Sequence, residues 1–303
     1  MIVEFIDTHR LQWGIEPICT VLTQAGMQIA PSTYYAHKKR APSPRKVRDE
    51  ELSSLIMTEY ERSAGIYGIR KIHAQLRRRG VVVARCTVER LCRSLGIRGV
   101  VRGKFPRAHK PEPATERPSD LVERAFTADA PNKLWVADIT YVRTLTGWVY
   151  VAFVLDVFSR KIVGWQTSTR LYADLAIDAL SMGLWMRDHA GEDISGLIHH
   201  SDRGVQYRSI AYSERLAASG VVASVGSKGD SYDNAMAEAL NSLFKHEVVY
   251  RKSWPSRSGL EIAVAEWVQW YNTERLHSSL GYISPDEAEA AYWRSVPAAD
   301  EAA

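Results

Sequence analysis

The hydrophobic period of this chain changes once, and the change falls at a stretch that no packed element accommodates. Pro106, Pro111, Pro113 and Pro118 stand within thirteen residues, interleaved with Lys, Arg, Glu and Thr. Each proline fixes φ and removes a backbone donor, so the stretch predicts an extended linker. Before it, apolar residues recur at helical spacing. After it, they gather in strand-length runs rich in Val, Ile, Trp, Tyr and Phe. The chain therefore reads as an all-α part followed by a mixed α/β part. The expected divisions are a small helical segment (1–45), a basic helical domain (46–105), the linker (106–125), an α/β core (126–250) and a helical extension of that core (251–303).

Charge follows the same division. The net +4 of the 303 residues is an average over unlike parts. Residues 38–110 carry 20 Lys and Arg against six Asp and Glu, net +14, whereas residues 1–37 sum to −2 and residues 111–303 to −8. Such a basic segment is a footprint for a polyanion, nucleic acid foremost, because each phosphate contact releases condensed counterions. No apolar run is long enough to span a bilayer, and Met1-Ile2-Val3-Glu4 does not start like a signal peptide, so a cytoplasmic protein is expected. Cys19, Cys86 and Cys92 are odd in number and form no C-x-x-C pair. That argues against a disulfide or zinc framework and predicts small buried hydrophobes.

In the first segment, Ile18, Val21 and Leu22 lie at helical spacing, Gly26 breaks the helix and Pro31 opens another, as in a small helix-turn-helix. A basic connector, Lys38 to Lys46, leads to a helix predicted from Asp49 to Arg62. Next come a helix over Tyr67–Gly80 with Ile69, Ile72 and Leu76 inward, and one over Ala84–Leu95 with Val88, Leu91, Cys92 and Leu95 inward. Two short helices around a tight turn, the second studded with arginines, follow the helix-turn-helix plan, although basic helical hairpins also occur in RNA-binding and structural modules. On that plan Arg70, Lys71, Arg77, Arg78, Arg85, Arg90 and Arg93 are the expected DNA contacts.

Beyond the linker, strands are predicted over 133–142, 148–157 and 161–168, then a helix (172–190), a strand (196–201), a helix (209–219), a strand (221–225) and a helix (234–249). This is the element order of the ribonuclease-H-like fold: a mixed five-stranded sheet with helices. Three acids stand out within it. Asp138 lies inside the first strand, where a lone carboxylate among apolar neighbours costs several kcal/mol unless paired or metal-bound. Asp202 ends the fourth strand, and Glu238 sits on the last helix, with 35 residues between them. Converging carboxylates repel one another, and hard divalent cations resolve the repulsion: two Mg²⁺ or Mn²⁺ ions can stabilise both oxygens of an in-line phosphoryl displacement. Lys245, with Asn234, Asn241 and Ser242 near the same helical face, is placed to hold a substrate phosphate. Asp156 reads as a turn partner for Ser159 or Arg160 rather than a ligand. His199 and His200 lack the spacing of a zinc site and read as structural or supporting residues.

Four motifs carry a resemblance. Trp135-Val136-Ala137-Asp138-Ile139-Thr140-Tyr141, His200-Ser201-Asp202-Arg203-Gly204-Val205-Gln206-Tyr207, Asp233-Asn234-Ala235 with Glu238 and Lys245, and Tyr271-Asn272-Thr273-Glu274-Arg275-Leu276-His277-Ser278-Ser279-Leu280-Gly281-Tyr282-Ile283-Ser284-Pro285 resemble bacterial insertion-sequence transposases with a retroviral-integrase-like core. The likeness is to the second-reading-frame product of two-frame elements, and Tyr67 to Arg98 resembles the helix-turn-helix preceding that core. The resemblance implies a catalytic triad of Asp138, Asp202 and Glu238 binding two Mg²⁺, and DNA strand cleavage and strand transfer at element ends without a covalent protein–DNA intermediate. It also implies double-stranded DNA as partner, a homo-oligomer on DNA, and an upstream reading-frame product fused by frameshifting. One departure is Ala239-Leu240-Asn241, where the family often carries bulky aromatics. A catalytically silent DNA-binding repressor and a simple nuclease are the alternatives; the three retained acids argue against the first, the long basic arm against the second.

Overall fold

The computed structural model describes residues 2–101, 127–202, 205–225 and 234–296. The predicted linker (106–125), Arg203, Gly204 and Asp233 lie outside the described residues. Helices α1 (Ile2–Trp13), α2 (Ile15–Gln24) and α3 (Pro31–Lys39) close around Ile6, Ile18, Cys19, Leu22 and Tyr34. The Tyr34 hydroxyl donates to Asp7 at 2.7 Å and ties α3 back to α1, a helix the sequence reading did not single out.

Helices α4 (Pro44–Arg62), α5 (Ile69–Arg78) and α6 (Arg85–Ser94) form a second unit around Leu52, Ile56, Ile72, Leu76, Val88 and Leu91. The expected start of α4 at Asp49 is corrected to Pro44. Ser43 caps the helix by accepting the Lys46 N–H at 3.2 Å, and Pro44 supplies a preset φ in the first turn. Most of the expected connector is therefore helix. Cys19 and Cys92 are buried as expected, but Cys86 is exposed, because it falls on the solvent face of the first turn of α6.

In the α/β part, β1 (Leu134–Thr144), β2 (Gly147–Asp156) and β3 (Ile162–Ser168) form an antiparallel meander. Then follow α7 (Ala173–His189), β4 (Ile198–Ser201), α8 (Ile210–Ala218), β5 (Val222–Val225), α9 (Ala235–Glu247), α10 (Arg257–Thr273) and α11 (Pro285–Ser295). The strands lie in the order β3-β2-β1-β4-β5, with β4 and β5 parallel to β1. This is the mixed five-stranded sheet of the ribonuclease-H-like fold. β4 starts two residues later than expected, because Gly196 takes a left-handed turn (φ +74°) before the chain can pair.

Period-two alternation in β1 feeds two cores. Trp135 and Ala137 pack under α7 and α8 with Leu180, Leu184, Tyr212 and Leu216, while Val136 and Val142 pack under α9 and α10 with Phe153, Phe244, Val264 and Trp267. Gly164 of β3 lets α7 sit directly on the sheet, since a Cβ there would overlap the Ala179 carbonyl oxygen.

The two parts are joined by packing. Leu276 completes the core of α4–α6, with Trp270 and Tyr282 packed against it. The Tyr67 hydroxyl donates to Glu274 O (3.3 Å) and accepts the Leu276 N–H (2.8 Å), and Arg78 pairs with Glu287 of α11.

Candidate active site

Parallel pairing of β1 with β4 sets the site. The register Ala137 to Ser201 makes the next residues, Asp138 and Asp202, neighbours where β4 ends. Helix α9 packs across β1 and β2, and its N-cap residue ties it to β1: Asn234 Nδ2 donates to the Ala137 carbonyl at 2.8 Å. From that anchor the helical repeat places Glu238, Asn241 and Lys245 along one side. Asn241 Nδ2 donates to Asp138 Oδ2 at 2.9 Å, and the Ile139 N–H to Oδ1 at 2.8 Å.

Electrostatics mark Asp138. Burial pushes its carboxyl up to about 7, the Asp202 charge adds to the rise, and Glu238 contributes less; the Ile139 and Asn241 donors oppose it. Lys245 is held below its ordinary value by burial, with the Asp138 charge opposing that fall. The Oδ1 atoms of Asn234 and Asn241 are buried without a hydrogen-bond partner among the described residues. Among those residues no three His, Cys, Asp or Glu close into a ready metal cage. Asp202 and Glu238 thus each lie within electrostatic reach of Asp138, without the three forming a coordination shell among the described residues. The donor set still fits a hard divalent cation: every candidate ligand is an oxygen, no cation among the described residues forms an ion pair with the half-buried Asp138, and two amide oxygens have acceptor capacity to spare.

The other sequence candidates fall elsewhere. Asp156 accepts from Asn132 N, Trp135 Nε1 and both Ser159 N and Ser159 Oγ, so its role is to close the turn after β2, as expected. His199 meets the Tyr212 hydroxyl at 3.1 Å, and burial beside His200 drives it down to about 3, leaving a neutral packing group. His200 Nδ1 lies 2.9 Å from Ser224 Oγ, bracing β4 to β5. Of the arm residues, Arg90 pairs with Asp49, Arg93 with Glu89 and Arg78 with Glu287, while Lys71 sits 5.0 Å over the Tyr67 ring. Arg70, Arg77 and Arg85 lie on α5 and α6 with no ion pair among the described residues.

A buried ionic cluster had no sequence signal. Glu289 of α11 binds Arg187 of α7, Lys161 (3.0 Å) and Ser159 Oγ (2.8 Å), residues 102 to 130 positions away. Local periodicity cannot register such pairs.

Comparison with known proteins places these features in a family. The Integrase core domain family matches residues 128–231, a second family of the same description matches 219–285, and the HTH-like domain family matches 47–105. The chain is 49% identical over 277 residues to a Mycobacterium tuberculosis protein named for transposition of insertion sequence element IS986/IS6110, covering 90% of this chain and 100% of that one. It is 46% identical over 303 residues to the transposase for insertion sequence element IS629 of Shigella sonnei (98% and 99% covered). It is 34% identical over 292 residues to transposase InsF of insertion sequence IS3A from Escherichia coli K12 (94% and 97%). Among solved structures, the simian T-cell lymphotropic virus intasome in complex with PP2A regulatory subunit B56 gamma aligns with a TM-score of 0.45 at 16% identity, covering 76% of this chain and 74% of that one. The HTLV-2 integrase catalytic core domain in complex with magnesium aligns with a TM-score of 0.41 at 14% identity, covering 54% and 99%. A ribonuclease-H-like core with two aspartates at neighbouring strands, a helical arm ahead of it and relatives matched along nearly their whole length leave one assignment: the chain belongs to the bacterial insertion-sequence transposases with an integrase core, enzymes of the polynucleotidyl-transferase superfamily.

Proposed function

We propose that Asp138, Asp202 and Glu238 are the catalytic residues and hold two Mg²⁺ (or Mn²⁺) ions, and that the chain cleaves and joins DNA strands at the ends of its insertion element. The observation that carries this reading is the half-buried Asp138 carboxyl, disfavoured as an anion by desolvation and by two neighbouring acids. Bound divalent ions supply the charge that stabilises the attacking and leaving oxygens of an in-line displacement. The chain's own residues do the rest. Asn241 fixes the Asp138 carboxylate by donating to one oxygen, Asn234 fixes the approach of α9, and Lys245 offers its ammonium to a phosphate flanking the scissile bond. In the reaction, hydrolysis of one phosphodiester frees a 3′-hydroxyl, which attacks a second phosphodiester and expels its 3′-oxygen, so no protein side chain becomes covalently attached.

The arm (residues 46–105) grips double-stranded DNA through Arg70, Lys71, Arg77, Arg78, Arg85, Arg90 and Arg93. Residues 106–125 serve as linker and residues 126–250, extended by 251–303, as the catalytic core. The working form is a homo-oligomer on DNA, fused with or assisted by an upstream reading-frame product, in the cytoplasm at the nucleoid. No helix among the described residues is long and apolar enough to cross a membrane. The test is Asp202→Asn in the purified protein: Mg²⁺-dependent cleavage and joining of element-end DNA should be lost with DNA affinity intact. Retained cleavage would remove Asp202 from the site.

A further inference from the structure

Beyond Ala137, β1 has β2 on one side and no strand on the other among the described residues, because β4 pairs only with Leu134–Ala137. On this open half two large rings face solvent: Tyr141 is 57% exposed and Trp148 46%. They touch edge to face, centroids 5.4 Å apart. The pairing of Arg143 with Trp148 and of Tyr141 with Tyr150 puts these four side chains on one face of the hairpin. Each exposed ring carries a cation. The Arg143 guanidinium lies 5.2 Å from the Trp148 centroid, and the Lys245 ammonium 4.8 Å from that of Tyr141.

Lys245 links this surface to the carboxylates, since it sits on the helix of Glu238 and Asn241 and within the field of Asp138. Tyr141 lies three positions beyond Asp138 and on the opposite face of β1, and Lys245 of α9 spans the two faces at the open edge; along the strand the offset is about 10 Å. That is roughly three nucleotide rises of a DNA strand. Aromatic faces interleaved with cations, on an open sheet edge, are what unpaired nucleotides bind: bases stack on rings while phosphates meet the charges. A second copy of this chain seated here would have to desolvate both cations, whereas a polyanion takes them as they stand.

We propose that Tyr141 and Trp148 form a stacking platform for unpaired nucleotides at the DNA end, with Arg143 and Lys245 holding the flanking phosphates. The proposal rests on the carboxylates being the reaction site; the platform then captures a frayed end and positions the neighbouring phosphodiester at Asp138. Tyr141 and Trp148 are positioning residues, and both Watson–Crick pairing and base identity are left unread, because every base offers a π-face.

The test uses the full chain without divalent metal, so that nothing is cut. The probes are a duplex with unpaired 3′-terminal thymines flanking one 2-aminopurine, and the same duplex blunt. Wild type should prefer the overhang by roughly tenfold and quench the 2-aminopurine on binding. Trp148→Ala should abolish the preference and the quenching while blunt-duplex affinity, set by the arm, stays within about twofold of wild type; Trp148→Phe should restore both. Arg143→Gln, which leaves the rings in place, should weaken overhang binding and lower its salt dependence. Absence of a preference in wild type, or its survival with quenching in Trp148→Ala combined with Tyr141→Ala, overturns the proposal. So does a Trp148→Ala protein that keeps the preference and changes only its oligomeric state, which would make the face a contact between copies. If Asp202→Asn still cuts DNA while the platform variants behave as expected, the carboxylate assignment fails and the platform stands.

Discussion

Two donors favour the Asp138 anion, but desolvation and two nearby acids outweigh them. Asn241 is the donor that can be removed without touching the backbone. Replacing it with Leu leaves the carboxylate less well oriented and less disposed to ionise. The expected outcome is a ten- to hundredfold rise in the Mg²⁺ concentration needed for half-maximal cleavage, the usual scale for a residue that orients a metal ligand. A metal titration of the cleavage rate checks it, and an unchanged midpoint would leave Asn241 with a packing role. At this scale the sequence was legible where a charge stood among apolar neighbours, as at Asp138. It was silent on the carbonyl that Asn234 holds, because a helix-start asparagine ordinarily caps its own helix; here the side chain makes no cap bond and reaches across to β1.

Elements follow their patterns where one face is buried and lose them where the partner is remote. The meander β1–β3 was legible from β-branched and aromatic runs with turns at Thr146-Gly147 and Ser159-Arg160, and each strand's bounds agree within about two residues. The start of α4 was misplaced because its first turn is basic and polar, giving the hydrophobic pattern nothing to mark; the Ser-Pro cap was the available signal. The anchoring of α11 was illegible, since Glu289 looks like any acid on an exposed helix. It is buried among Arg187, Lys161 and Ser159. Glu289→Ala leaves the buried Arg187 with Glu192 as its remaining carboxylate and should cost about 2–3 kcal/mol of stability, read from urea unfolding. Burial would raise the Glu289 carboxyl, but Arg187 leads the opposing contributions and the net value is lowered. A depressed acid stabilises the fold at pH values above its ordinary range, about 4.3, and loses that contribution as pH falls through its folded value. The difference between wild type and Glu289→Ala should therefore be full at pH 7 and shrink below pH 4. A difference independent of pH would mean that packing, not charge, holds α11.

Across the whole molecule, the charge division seen in the sequence corresponds to a helical arm docked on an α/β core, but the free and occupied cations are not distributed as the sequence implies. Arg78 is engaged by Glu287 and would have to give up that carboxylate to take a phosphate, whereas Arg77 has no ion pair among the described residues to give up. Arg77→Gln should lower the salt slope of DNA binding by about 0.9 and weaken affinity across sequences alike. Arg78→Gln should lose less affinity, because the ion pair already discounts its contribution. Binding isotherms at several salt concentrations distinguish the two, and equal losses would show that the Glu287 contact does not persist in solution. Helix spacing predicted both side chains outward; only the docked carboxy-terminal helix reveals which of them meets an acid.

Leu276 lies inside the core that α4, α5 and α6 share, and Tyr67 is satisfied by the backbone around it. The arm's core is thus assembled from segments far apart in the chain. During translation its three helices leave the ribosome long before Leu276 does, and at about 5–20 residues per second the gap is of order ten seconds or more. Throughout that interval the arm lacks its last buried residue and the acceptor and donor that satisfy Tyr67. A chain terminated before Leu276 would carry the basic helices without the residue that closes their core, so the packing of the arm and of the α/β part are completed together.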